Sequence, residues 1–181
     1  MKAPGEKFFH ILRDRLGELP IVAEDLGIIT SDVEGLRAKF DFPGMKVLHF
    51  AFDSGPGNPY LPFNFHDRNC LVYTGTHDND TTVGWYKKRN AEQKERVRQY
   101  VGGTGPEGAI HWNLIRVALA SVANQAMIPL QDVLGLGSEA RMNTPSQLGD
   151  NWAWRYGREQ LTDQLRERLG LLTELYGRSP R

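Results

Sequence analysis

Apolar residues recur along the chain at two alternating periods. Phe8, Ile11, Leu12 and Leu16 fall at helical spacing, with Gly17 as the stop. The short apolar run "LPIVAEDLG" (19–27) then ends at Glu24 and Asp25. Ser31 with Glu34 three residues later reads as a capping box for a helix through about Phe40. "GMKVLHFAF" (44–52) reads as a buried strand, and a loop rich in Gly and Pro follows it (53–65). "CLVYTG" (70–75) is the next strand, and the chain turns helical after Asp80. Asn90 with Gln93 caps a charged helix to about Tyr100, and Pro106 sits near the first turn of the next. Residues 109–124 are apolar on most faces, as in a buried helix. "AMIPLQDV" (126–133) is a fourth strand, and Leu161, Leu165, Leu169, Leu172 and Tyr176 form the stripe of a last helix.

The order is a helix followed by four rounds of strand and helix, which predicts an α/β fold with a parallel sheet. Each strand is short and apolar throughout, as strands covered on both faces are. The polar residues gather where strands end: Glu24 and Asp25, Asp53, His77 and Asp78, Gln131 and Asp132. In parallel α/β folds, open or closed, that edge carries the site.

Composition narrows the class. The 181 residues suffice for one domain with its own core, and 40% hydrophobic with 24% charged is an ordinary globular balance. Lys plus Arg equals Asp plus Glu at 22 each, so no electrostatic footprint for nucleic acid or an anionic membrane is present. One cysteine, Cys70, excludes an internal disulfide and a cysteine zinc site. With no apolar run near bilayer length and no hydrophobic leader after Met1, a reducing cytoplasm is the expected compartment. Five histidines without metal-ligand spacing point to no metal, and "GLG" (135–137) is too short for a phosphate loop. No cofactor is expected.

Carboxylates at neighbouring strand ends among aromatic loops suit sugar chemistry. Cleaving a glycosidic bond takes one carboxylic acid to protonate the leaving oxygen and another carboxylate as nucleophile or base. Any one of these carboxylates could equally serve as a helix cap or salt-bridge partner. Trp152 and Trp154 alternate in "NWAWR", as core and exposed residues do, and either core packing or a wall near the site would explain them.

Longer strings are more specific. "AEDLG", "GMKVLHFAFD", "NPYLP", "YTGTHDNDTTVGWY", "PLQDVLGLGSEARMNTP" and "NWAWR" stand in the order found in 4-α-glucanotransferases. The chain resembles that family, also called amylomaltase or disproportionating enzyme, over almost its whole length. The resemblance implies the C-terminal half of a (β/α)8 TIM-type barrel of the α-amylase clan, strands five to eight with their helices. It implies transfer of α-1,4-glucan segments to a glucan or glucose acceptor through a covalent intermediate. Glu24 then resembles the general acid/base and Asp78 the carboxylate that steadies the transition state. His77 resembles a partner of the same sugar, and Asp53 and Asn143 resemble further contacts to bound glucan. Asn79 and Asp80 read as supports or caps for a helix starting near Thr81, and Asp25 as a structural hydrogen-bond partner.

One departure matters. The family's nucleophilic aspartate lies in an R-x-D-H motif at the fourth strand, and no such motif occurs here. The chain is expected to be one domain, incomplete without its N-terminal half, and inactive alone. It should pair with that half or with a second copy; a twofold pair would put Asp132 where the nucleophile stands. A non-catalytic glucan-binding or scaffold fragment is the alternative, and a hydrolase of the same clan is a third reading.

Overall fold

The apolar runs form strands only as far as backbone donors stay available. The computed structural model describes residues 3–102 and 109–179, which places Pro106 outside the described residues. Helix α1 spans Gly5–Leu16 and α2 Ser31–Lys39. Strand β1 spans Gly44–Val47 and β2 Cys70–Tyr73. Helices α3 (Thr82–Lys87), α4 (Ala91–Val101) and α5 (Ile110–Ala120) follow. Strand β3 (Gln125–Met127) leads to the single turn α6 (Leu130–Val133), and α7 (Asp163–Leu175) comes last. The sheet is parallel in the order β1-β2-β3.

The expected count of four strands is corrected to three among the described residues. Residues 19–27 run beside β1 but make one backbone bond to it, Ala23 N–H to the Pro43 carbonyl at 2.9 Å. The next donor, Met45 N–H, is taken by the Asp25 carboxylate at 2.6 Å. A side chain standing in for a backbone carbonyl ends the ladder there. Gly44 makes this approach feasible, since a Cβ on it would lie 2.2 Å from Asp25 Oδ2. Two other strands are shorter than the apolar pattern predicts. The chain coils into a 3-10 turn at Leu48–Phe50, and Pro129, which has no N–H to give a ladder, precedes the turn of α6.

Helix ends follow the sequence with one change. The capping box of Asn90 and Gln93 forms in full. At α2 the cap residue is Thr30 and not Ser31, which is already helical, and no side chain caps the first turn. Gly17 ends α1 at φ +75°, as its position predicts.

The core lies between the sheet and α3, α4 and α5. Val47 and Val72 from the strands and Leu48 just after β1 are fully buried with Val97, Leu114, Ile115 and Ala118 from the helices. A second cluster joins Trp112, Ile115 and Leu119 of α5 to Leu172, with Leu165, Leu169 and Tyr176 packed around it. Leu161 stays exposed, so the stripe of α7 begins inside the helix. The flanks differ from this core. Phe8, Ile11 and Leu16 of α1, with Val22, are exposed on one side of the sheet order, and Val122, Met127 and Leu175 on the other. From α1, Phe9 reaches both Phe40 and Phe42, at 5.3 and 4.9 Å, and His10 and Arg13 lie against the Phe40 ring.

Polar groups are buried where β1, β2 and β3 end. Asp132, 1% exposed, accepts from Thr82 N–H (2.7 Å), Thr82 Oγ1 (2.8 Å) and Thr74 Oγ1 (2.5 Å). Burial pushes its carboxyl upward, against the pull of these three donors. Thr82 Oγ1 gives its proton to Asp132, so at 3.0 Å it accepts from His49 Nε2–H. The His49 ring lies flat on Trp85, 4.7 Å between centroids, and Gly75 covers its Cε1 edge so closely that a Cβ would come within 2.6 Å.

Complete burial, reinforced by the Arg89 charge, depresses the His49 pKa to about 3. The unfolded chain takes up this proton below its ordinary value near 6.5, whereas the folded chain refuses it down to about 3. The contribution to stability is therefore complete above 6.5 and is lost at roughly 1.4 kcal/mol per pH unit through that window. Imidazole NMR at pH 5 should show the His49 ring still neutral with its proton on Nε2. A normal titration near 6.5 would contradict the buried arrangement.

Candidate active site

Three segments deliver side chains to one cavity of about 350 Å³ at the carboxyl ends of the strands. Residues 19–27 bring Glu24 and Leu26, the loop after β2 brings His77 and Asp78, and the chain after β3 brings Arg141, Met142 and Trp152. The cavity thus unites the two carboxylates that the sequence singles out, with the neighbouring imidazole. Glu24 is exposed, as are His77 and Asp78, so all three face solvent at the mouth.

The loop after β2 is held from both ends. Asn79 Oδ1 accepts from Thr76 N–H (2.8 Å) and Thr76 Oγ1 (2.9 Å), which tightens the turn carrying His77 and Asp78. Beyond it Thr81, and not Asp80, caps α3 by accepting from Gly84 N–H. Asp80 bridges instead, accepting from Lys88 Nζ (2.6 Å) and Ser138 Oγ (2.7 Å). Burial opposes ionisation there, yet Lys88 and Ser138 hold the carboxyl below the usual range. Asp25 is structural, as expected: it accepts from Met45 N–H and faces Arg37 Nε at 3.4 Å.

Asp78 is fixed by the chain after β3. Its Oδ1 accepts from Asn143 Nδ2 at 2.5 Å and lies 3.4 Å from His77 Nε2. Arg141 donates to the Asp78 carbonyl (2.6 Å) and the Asn143 carbonyl (2.8 Å), and Asn143 N–H to the His77 carbonyl (3.1 Å). The two loops are therefore one clamp. Arg141 sits in the string that supplied Asn143, but nothing in its spacing tells that its guanidinium ties two backbones.

The other expected residues are placed differently. The Asn143 side chain is bonded to Asp78. Asp53 lies outside the cavity lining, paired with Arg89 Nη1 at 2.5 Å. Arg89 also lies over the Trp85 ring, 4.7 Å from its centroid. Asp132 is the buried anchor described above, with both oxygens engaged, so it is unsuited to attack a substrate. Neither tryptophan is core: Trp152 is exposed on the cavity and Trp154 half-buried against Tyr156. Among the described residues no cluster of His, Cys, Asp or Glu could hold a metal ion, and no helix is long and apolar enough to cross a membrane.

Fold and cavity define an α/β chain with a small parallel sheet and a cavity at the carboxyl ends of its strands. The chain belongs to the 4-alpha-glucanotransferase family, whose model matches residues 1–161. A 4-alpha-glucanotransferase of Synechocystis is 59% identical over 97% of this chain, which spans 35% of that relative. A chloroplastic/amyloplastic 4-alpha-glucanotransferase of Arabidopsis thaliana is 47% identical over 97% of this chain and 31% of its own length. The structure of an amylomaltase from Streptococcus agalactiae in complex with acarbose superimposes with a TM-score of 0.93 at 35% identity, covering 99% of this chain and 36% of that one. The chain spans about a third of the length of these relatives.

The clamp has a direct test. Replacing Arg141 by Ala removes both carbonyl bonds, each worth about 1 kcal/mol net. Amide exchange at Asn143 and Trp152 should then quicken by roughly an order of magnitude, with the sheet unchanged. Unaltered exchange at both amides would show that Arg141 does not hold the loops.

Proposed function

We propose that this chain supplies the acid/base and the transition-state carboxylate of a 4-α-glucanotransferase acting on α-1,4-glucan by retaining double displacement. The observation that carries the proposal is that Glu24 and Asp78 line one cavity in a chain of this family. Glu24 protonates the glycosidic oxygen as the first glucan segment leaves, then takes the proton of the acceptor hydroxyl as the second attacks. Asp78, oriented by Asn143 and the Arg141 clamp, faces the positive charge that develops on the ring. His77 holds a hydroxyl of the same sugar. Asp53, on the Arg89 pair, and Asn143 are further glucan contacts outside the reacting sugar.

The nucleophile comes from the rest of a longer protein, with strands that complete a barrel around this half. The exposed apolar flanks of the sheet support this, since such surfaces and open edges seldom remain bare. The isolated chain then pairs with that remainder or with itself, and transfers nothing. The non-catalytic reading applies only to the chain in isolation.

A chimera in which this chain replaces the matching third of the Synechocystis relative tests the roles. Glu24→Gln and Asp78→Asn should each lower maltooligosaccharide disproportionation by about 10²–10⁴. Acarbose binding should persist in both. A variant keeping more than about a tenth of the parent rate, far above that range, would remove its residue from the mechanism.

The isolated chain makes a separate case. It should show no disproportionation and should sediment as more than a monomer unless the remainder is supplied. Transfer by the purified chain alone would overturn the view that the nucleophile lies elsewhere, and a well-behaved monomer would overturn the reading of the flanks.

A further inference from the structure

Trp152 combines two features that packing does not explain. It is 54% exposed although it lines the cavity, and its backbone is left-handed at φ +64°. A bulky residue there is strained, and the surrounding bonds hold it in place. Trp152 N–H donates to the Met142 carbonyl at 2.7 Å, and its own carbonyl accepts from Arg155 Nη1 at 2.8 Å. Asn151 locks the preceding turn, with Oδ1 accepting from Thr144 N–H and Nδ2 donating to the Gln147 carbonyl, both at 2.9 Å.

These bonds set the indole beside His77, 5.0 Å between ring centroids and tilted by 40°. Much of the side chain stays open to solvent, and the His77 it adjoins lies 3.4 Å from the Asp78 carboxylate. A strained backbone spent on keeping an aromatic ring exposed suits a ligand that is flat and apolar on one side and hydroxylated at its rim. A pyranose ring has that form: its axial C–H groups can lie on the indole while its hydroxyls point to the polar rim of the cavity.

Resting on the proposed transferase reading, we infer that Trp152 is the stacking platform for the acceptor glucan and sets the balance between transfer and hydrolysis. An acceptor sugar seated on it displaces water from the mouth, where Glu24 would otherwise activate that water against the covalent intermediate. The bond formed is then from the acceptor oxygen to the sugar carbon, its proton passing to Glu24, and the bond broken is that to the enzyme nucleophile.

The test uses the chimera with three substitutions. Trp152→Ala and Trp152→Gly should raise KM for the acceptor by about tenfold, the loss for roughly 50 Å² of apolar contact. Both should raise the share of glucose released by water while kcat at saturating acceptor changes less than about threefold. Trp152→Phe keeps a ring and should retain KM within about threefold. Glycine accepts a positive φ without strain, so Trp152→Gly should also keep the melting temperature and separate loss of the ring from loss of the fold. Equal KM and equal hydrolysis in all three, with Glu24→Gln inactive, would overturn the platform alone. Full activity of Glu24→Gln would overturn the transferase reading beneath it.

Discussion

The carboxylate of Asp132 is the point on which the site edge depends. It comes from the chain after β3, yet its three donors belong to the end of β2 and the start of α3. Through Thr82 it reaches His49 after β1. One buried carboxyl group thus joins the ends of all three strands, and the strands with the loops leaving those ends carry the cavity residues other than Glu24 and Leu26. A buried charge is costly unless its oxygens are matched by donors, and here each oxygen has at least one. The arrangement stabilises through geometry more than energy, since it admits one relative placement of β2, α3 and α6. His49 stays neutral because an imidazolium between Trp85 and Thr82, near Arg89, would be both desolvated and repelled.

From that frame the chemistry follows outward. The turn of Asn79 and Thr76 presents His77 and Asp78, and the Arg141–Asn143 strap fixes them from the neighbouring loop. The result is a carboxylate held by side-chain bonds, in one cavity with Glu24, whose own side chain is exposed. That asymmetry suits a group that must hold charge in place and another that must exchange a proton. Trp152 hangs on the same strap, its N–H donating to the carbonyl of Met142 between Arg141 and Asn143.

Much of this was legible in the sequence, for identifiable reasons. Periodicity located α1, α4, α5 and α7, and the apolar runs located every strand that formed. The capping box at Asn90 is a local device whose two partners lie three residues apart, so it can be read from a string. The box at Ser31 has the same spacing and did not form, because Thr30 already occupies the cap and engages Asp32. The extended run at 19–27 looks like β1 in composition, but its ladder is ended by a carboxylate, Asp25, that sequence could only mark as structural. Glu24 and Asp78 were singled out by family-like strings and by their place at the ends of apolar runs, and both line the cavity. Arg141, the Asp132 anchor and the pairing of Asp53 with Arg89 were not legible, because each is a contact across roughly 36 to 63 residues whose partners share no local pattern.

The central claim is that Glu24 and Asp78 address the same glycosidic bond. Its most direct test is the structure of the chimera carrying Glu24→Gln with acarbose bound. The account predicts the substituted side chain within hydrogen-bond reach of the linking atom between two rings, roughly 2.6–3.2 Å. Asp78 should contact the hydroxyls of the ring on the donor side. Acarbose held away from either position, or an Asp78 that makes no contact with the sugar, would contradict it.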